Sequence, residues 1–497
     1  MKFWTAIALI LVLSAVGLTY EIAAGRVLAP FFGTSLVTWT AVIATVLAGF
    51  SLGNALGGFM AERERAVALR QVRAVLVVTA VLAALSPMIL GLIYSLGARG
   101  TGGMLISVIL AFFPASVLIS APSPLLARLA VEARPGREGS SLGMVLAAGS
   151  LGAILGAVLA GFVALPFAGS VATFAACGAA ALLCVPFLCD RGDGGGSGRG
   201  GEEAEKPSVA PLIPIAALVL ASAALGPVCR YESGLSCIDI TRTGGVISLY
   251  SDRTHQAAEP VLRADAGPEA PVGLVIPYTR WIWARMDADL GPAASVLFIG
   301  GGGYTLPTQL LASRPEAHAI AVEIDPLITE VVRQHLPRAA AMITETGYNA
   351  GLEMPGTASS GRLGIVHADG RVYLNETTRR YDAAVMDAFS SASVPAHLVT
   401  HETFARLREI VAGPVYVNLI DAPDGPLARG THAILSALYP HVATVRGPTG
   451  PNGQGNVLLA ASEEPLAPLE ELPEGYEMAE ISPARAFTDD RGWVGYR

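Results

Sequence analysis

At 497 residues, with 52% hydrophobic and 15% charged residues, the chain is too apolar for an ordinary soluble protein and too long for one domain. Its formal charge of -8, with no basic stripe interleaved with aromatics, excludes nucleic acid as a partner. The two halves differ enough in texture to be read separately.

From Met1 to about Val228, apolar runs of about 20 residues recur, each long enough to cross a hydrocarbon layer about 30 Å thick. Seven spans are expected, at roughly 3–25, 36–60, 74–97, 102–125, 141–163, 168–189 and 208–228. Lys2 before an apolar core imitates a signal peptide, but no small-x-small cleavage site ends the run and six more follow. GFSLGNALGGF (Gly49 to Phe59) and GSLGAILGAVLAGF (Gly149 to Phe162) read as packing seams, where small residues let backbones approach in lipid. Glu21 and Arg26 near the outer end of the first run suggest an ion pair or a contact with the soluble domain rather than a transport path.

Basic residues set the expected topology. Arg63, Arg65, Arg70, Arg73, then Arg128, Arg134, Arg137, then Arg191, Arg199 and Lys206 mark alternate loops as cytoplasmic, while the opposite loops carry only Arg26 and Arg99. An odd number of spans then delivers the C-terminal half outside a cell membrane; one span fewer reverses this. The polar stretch 190–206 reads as a flexible cytoplasmic loop. Cys229 and Cys237 either pair in an oxidising compartment or remain two thiols, and Cys177, Cys184 and Cys189 read as packing residues.

Past Arg230 the pattern shortens. Cys237 to Gln256 alternates around Gly-Gly and reads as a hairpin. From Val296, strand candidates SVLFIG, HAIAVEID, GRLGIVHAD, YDAAVMDAF, GPVYVNLID, ATVRG and NVLLAAS follow, with helices such as LPTQLLASR and LITEVVRQHL between the early ones. The expected architecture is a multi-pass α-helical membrane domain (1–228), a small β-hairpin subdomain (229–285) and an α/β doubly wound, Rossmann-like domain of class I methyltransferase type (286–497).

In such sheets a ligand sits beyond the carboxyl ends of the strands. Gly300, Gly301, Gly302 and Gly303 follow the first strand, and Glu323 ends the second, where an acid can bind ribose hydroxyls. The run lacks the G-x-G-x-x-G spacing of a pyrophosphate site. Asp369 and Gly370 end a third strand, suited to an adenine amine, and Asp387 ends a fourth. His255 is either a partly exposed hairpin histidine or part of the substrate site. No Cys/His cluster has ligand spacing, so no metal is expected.

YEIAAGR, His255-Gln256, Tyr278, IGGGGYTLP, VEIDP, HADGR, YDAAVMDAF and FTDDRG together resemble the spermidine synthase family, and more closely its membrane-fused bacterial branch. That resemblance implies decarboxylated S-adenosylmethionine as aminopropyl donor and methylthioadenosine as product. It implies Glu323 on the ribose, Asp369 on the adenine, Asp387 as the catalytic acid, and Gln256 and Tyr278 lining the donor and acceptor sites. Two departures stand out: the family's aspartate within the glycine run is Gly303 here, and its second acid after the fourth strand is Ser390, at the substrate-binding position. An ammonium desolvated without a counter-charge costs several kcal/mol, so putrescine is expected to be a poor acceptor, and ordinary S-adenosylmethionine becomes a candidate donor. Transfer to an external amine and cyclisation of the donor itself both stay open. A small-molecule methyltransferase on the same sheet, and a nucleoside- or polyamine-binding transporter or sensor, are the alternatives. Expected partners are a lipid bilayer and a small-molecule substrate, an amine or none; a homodimer is left open. Asp489 and Asp490 in FTDDRG read as anchoring the tail near the site rather than as chemistry.

Overall fold

The computed structural model describes residues 1–33, 36–188, 212–224, 228–261, 273–352, 361–389, 394–450, 453–469 and 471–490. It forms two units, Met1–Cys237 and Ile238–Arg497.

The first unit is helical: α1 (Phe3–Phe32), α2 (Leu36–Ala61), α3 (Arg65–Ser95), α4 (Gly100–Ser120), α5 (Ser123–Glu132), α6 (Glu138–Leu159), α7 (Leu165–Cys184) and α8 (Ile213–Ala223). Five helical stretches are long and apolar enough to cross a membrane: Phe3–Phe32, Val37–Ala61, Arg65–Ser95, Gly100–Glu132 and Glu138–Leu188. The last has 51 residues, far more than one crossing needs. A π-helical turn at Ala160–Ala164 and a non-helical Gly169 (φ 77°, ψ 174°) interrupt it. Val145 and Ala148 before the break share a core cluster with Ala181 and Leu182 after it, so the stretch doubles back as two limbs.

Of the seventh expected span, 208–228, only part lies among the described residues. Within it the structure describes α8, 11 residues long, with Pro214 in its first turn. At 1.5 Å per residue that helix covers about half the hydrocarbon layer. Residues 208–211 and 225–227, like the loop 190–206 and Cys189, lie outside the described residues.

The glycine seams are backbone contacts. A Cβ on Gly53 would sit 2.0 Å from the Val117 carbonyl oxygen, and one on Gly57 2.1 Å from that of Ala121, which brings α2 directly onto α4. Gly152 and Gly156 of α6 meet the carbonyl oxygens of Leu11 and Ala15 in the same way, each at 2.2 Å. Leu146, Phe162, Phe167 and Leu183 point outward, as apolar side chains do in lipid. Within this unit the segment after α8 is tied to helix ends. Arg26 Nε and Nη2 donate to the Ser233 carbonyl at 3.3 and 3.1 Å, the contact that the sequence left as an alternative to an ion pair with Glu21. Glu232, in the two-residue strand β1 (Tyr231–Glu232), accepts the Ser170 N–H at 3.0 Å and the Ser170 hydroxyl, capping the limb that restarts after Gly169. Cys229 and Cys237 are bonded, with Cα atoms 5.6 Å apart.

The second unit opens with an antiparallel meander, β2 (Cys237–Thr243), β3 (Val246–Ser251) and β4 (Thr254–Pro260). Gly244-Gly245 (φ 60° and 78°) and Asp252-Arg253 (φ 46° and 66°) make its two-residue turns, with the paired positive φ of type I′. The second turn has no glycine, so the sequence showed one hairpin where there are three strands.

After α9 (Pro277–Asp289) come β5 (Ser295–Ile299), α10 (Thr305–Ser313), β6 (His318–Glu323), α11 (Pro326–His335), α12 (Pro337–Thr346), β7 (Gly347–Asn349), β8 (Leu363–His367), α13 (Gly370–Glu376), β9 (Ala383–Met386), α14 (His401–Ile410), β10 (Val415–Asp421), α15 (Pro426–Leu438), β11 (His441–Arg446), β12 (Gly455–Ser462) and β13 (Glu477–Met478). Among the described residues, nine strands make one sheet in the order β13-β11-β12-β10-β9-β5-β6-β8-β7. It is parallel from β10 through β7 and antiparallel at the β12–β11–β13 edge. The central strands are buried on both faces, which is why they read as continuous apolar runs. One face packs Leu297, Ile299, Val322 and Met386 against Leu374, Phe404, Leu407 and Ile434 of α13, α14 and α15. The short strands β7 and β13 were not visible in the sequence, having too few residues to show a period.

The seam between α2 and α4 can be tested directly. Gly53→Leu should destabilise the chain by about 1 to 3 kcal/mol or more through overpacking against backbone. Gly58→Leu, where a Cβ meets nothing within 4 Å, should be tolerated. Equal melting temperatures of the two variants in detergent would contradict the seam.

Candidate functional site

The strand order reverses between β5 and β9, because β5 continues to β6 on one side while β9 lies on the other. Such a switch point opens a crevice at the carboxyl ends of the strands. Here it is a pocket of about 380 Å³, counted to its open mouth, among whose walls are Gln256, Tyr278, Thr279, the four glycines, Thr305 and Asp387.

Most of the glycine loop is bare for internal reasons. Gly300 (φ 99°) lies so close to the end of β9 that a Cβ would sit 2.4 Å from the Asp387 carbonyl oxygen. A Cβ on Gly301 would sit 2.9 Å from that of Glu323, and one on Gly303 2.0 Å from that of Ala257 in β4. Gly302 (φ 47°) alone of the four faces open space. Three of the glycines are therefore demanded by packing, and one leaves room for a ligand. Where the resemblance expects an aspartate, no side chain fits at Gly303 while Ala257 stands opposite. Tyr304 (φ 56°) ends the loop, fully buried, its hydroxyl 2.6 Å from Thr329.

Glu323 ends β6 beneath this loop. It is 5% exposed and accepts the N–H groups of Asp325 and Gly302, each at 2.9 Å, so it braces the loop whether or not it also holds a ribose. Burial pushes its carboxyl up to about 7, against the pull of those N–H donors. Asp369 is the N-cap of α13, accepting from Arg371 N at 2.8 Å and Val372 N at 3.2 Å, and its other oxygen lies 2.9 Å from His397 Nε2. Gly370 packs behind it, where a Cβ would meet Ile299 at 2.6 Å. Neither Asp369 nor Gly370 is among the pocket walls.

Asp387 follows β9 and is held to β5 by its own N–H, 2.9 Å from the Ile299 carbonyl. Its carboxylate receives the Tyr278 hydroxyl of α9 at 3.0 Å and Asn418 Nδ2 of β10 at 2.8 Å. Burial pushes Asp387 up to about 6, against those two donors. Tyr278 is pushed well above its ordinary value by burial and then by the Asp387 charge, so it stays a neutral donor. A carboxylate poised near neutrality, with a fixed phenol beside it, can take a proton from a nucleophile in the pocket.

Gln256 reaches the pocket from β4, but His255 does not: neighbours on a strand face opposite ways, and His255 stacks on Tyr250 with ring centroids 4.8 Å apart on the exposed side. Ser390 lies outside the described residues. Asp489 anchors the tail, accepting from the Thr400 hydroxyl at 2.7 Å and Arg371 Nη2 at 2.9 Å. Glu259, 2% exposed, ties the meander to α12 by accepting the Arg338 and Ala339 N–H groups at 2.9 and 3.0 Å. Glu259, Asn418, His397 and Thr305 were not singled out in the sequence; a lone Asn within the apolar run VYVNLID was the available signal for one of them.

No protein-family model matches the chain. It is 26% identical over 172 residues to a polyamine aminopropyltransferase of Vibrio vulnificus, covering 34% of this chain and 47% of that protein's length. It is 25% identical over 416 residues to polyamine aminopropyltransferase 1 of Streptomyces coelicolor, covering 80% of this chain and 72% of that one. A probable spermidine synthase from Corynebacterium glutamicum aligns with a TM-score of 0.42 at 20% identity, over 53% of this chain and 97% of that one.

The raised acids fix a sign for pH dependence. With a folded value of about 7 against an ordinary 4.5, Glu323 binds its proton more tightly folded than unfolded, so its contribution to stability falls as pH rises from 4.5 to 7. Glu323→Gln should flatten the decline of melting temperature across that window; parallel curves for the two proteins would refute the assignment.

Proposed function

We propose that the chain is a membrane-bound transferase of the spermidine synthase family, acting on S-adenosylmethionine or its decarboxylated form at the carbon next to sulfur. The observation that carries the reading is Asp387 with Tyr278 in the pocket beside the glycine loop. In the proposed step the nucleophile's lone pair forms the new bond to carbon, and the carbon–sulfur pair passes to sulfur. Methylthioadenosine leaves, and Asp387 takes the proton from the nucleophile. The glycine loop and Glu323 would hold the nucleoside, while Gln256, Tyr278 and Thr305 would orient the chain that reacts.

The charge of the pocket supports a weak preference for diamines. Asp387 is the one carboxylate among the named pocket walls, and Gly303 has no space for a second. A diamine and a decarboxylated donor bring several ammonium groups that such a pocket leaves uncompensated. A donor that keeps its own carboxylate brings its own counter-charge.

Incubation with S-adenosylmethionine or its decarboxylated form should release methylthioadenosine, with poor use of putrescine. Asp387→Asn should slow release by about 10² to 10⁴-fold. Both nucleosides should raise the melting temperature. Accumulation of S-adenosylhomocysteine would make the protein a methyltransferase instead, and stabilisation by the nucleosides with no product from either donor would favour a binding protein.

We read the second unit as extracytoplasmic, on the premise of seven spans, from the basic loops and the Cys229–Cys237 bond. A protease-sensitive tag fused after Arg497 should be cleaved in intact cells. Protection of the tag there, with cleavage after permeabilisation, would reverse the topology.

A further inference from the structure

Asp387 is held by two donors, and one of these is itself held. Asn418 Nδ2 donates to Asp387 Oδ1 at 2.8 Å, and Asn456 Nδ2 donates to Asn418 Oδ1 at 2.9 Å. Asn418 is 2% exposed, Asn456 is half-buried, and neither is among the pocket walls. We propose that Asn418 and Asn456 are positioning residues, a two-amide relay that fixes which end of the Asn418 side chain faces Asp387 and so keeps that carboxylate charged and aimed into the pocket. The inference rests on Asp387 being the base of the proposed reaction.

A buried primary amide beside a carboxylate has two orientations with opposite effects. With NH₂ toward Asp387 it stabilises the charged form; with the carbonyl toward it, lone pairs oppose and the protonated form is favoured. The Asn456 donor occupies the carbonyl end and leaves NH₂ for Asp387. The antiparallel register makes this possible: Asn418 lies opposite Leu458 and Ile420 opposite Asn456, so the two amides are diagonal neighbours on one face of β10 and β12. Both stand in otherwise apolar runs, VYVNLID and NVLLAAS. Among the described residues, the titratable group against Asp387 is Tyr278 on α9, with Tyr476 beyond it. Glu323 lies across the glycine loop, and the flanking Val385, Phe298 and Gly300 carry no charge. The sheet side is thus left to the amides.

The test uses the full chain. Asn456→Asp replaces the donor with an acceptor, which should draw the Asn418 NH₂ away and turn its carbonyl to Asp387. The ionisation midpoint of Asp387 should rise by about one to two pH units, the loss of a hydrogen bond to a charged group. It is read as the acid limb of kcat/KM and, without turnover, as the pH-dependent difference in melting temperature between chains carrying Asp387 and Asp387→Asn. Asn456→Leu, which adds no charge, should move the midpoint in the same direction by less. In an Asn418→Leu background, Asn456→Asp should add no further shift. An unmoved midpoint in both Asn456 variants, or an equal shift without Asn418, overturns the relay. If no donor yields product, the proposed function fails while the melting comparison still decides the relay.

Discussion

The register between β5 and β9 is the constraint on which the site depends. Ile299 lies beside Met386, and the Asp387 N–H reaches the Ile299 carbonyl, so the first glycine after one strand and the acid after the other arrive together. Their approach is close enough that only glycine fits at position 300. Once that contact is made, the loop must turn away with positive φ, and its next N–H groups come within reach of Glu323. The pocket is what remains between the loop and the meander strand β4, whose Gln256 is among its walls.

This arrangement gives the buried acids different work. Glu323 is surrounded by backbone donors and lies under the loop; its high value reflects burial that two N–H groups do not fully offset. Asp387 has side-chain donors on both oxygens and is pushed by burial up to about 6, in a pocket whose other named walls are uncharged. Asp369, which the sequence placed in the same set, caps α13 and lies against His397. Three acids at successive strand ends thus divide into a loop brace, a helix cap and a candidate proton acceptor.

The helical unit rests on the same physical device as the site, glycine where backbone meets backbone. At Gly53 and Gly57, and again at Gly152 and Gly156, helix carbonyls sit where a Cβ would be. Such backbone contacts are what helices in lipid would need, where hiding apolar side chains gains nothing. Gly169 serves differently, as a break that lets one apolar stretch fold back on itself, and Glu232 satisfies the helix end that the break exposes.

By itself the sequence determined what composition and period can carry: apolar runs of membrane length, the glycine seams, the alternation of strand and helix, and the acids at strand ends with the glycine loop among them. Those signals are local, since each arises from residues within a few positions of one another. Tertiary structure alone decided which partners those residues meet. The lack of space at Gly303 comes from Ala257 in a distant strand, and His255 is turned outward by strand alternation from a three-stranded meander. The Asn456–Asn418–Asp387 chain depends on the pairing of β12 with β10, and no local pattern records a register between strands so far apart in the chain.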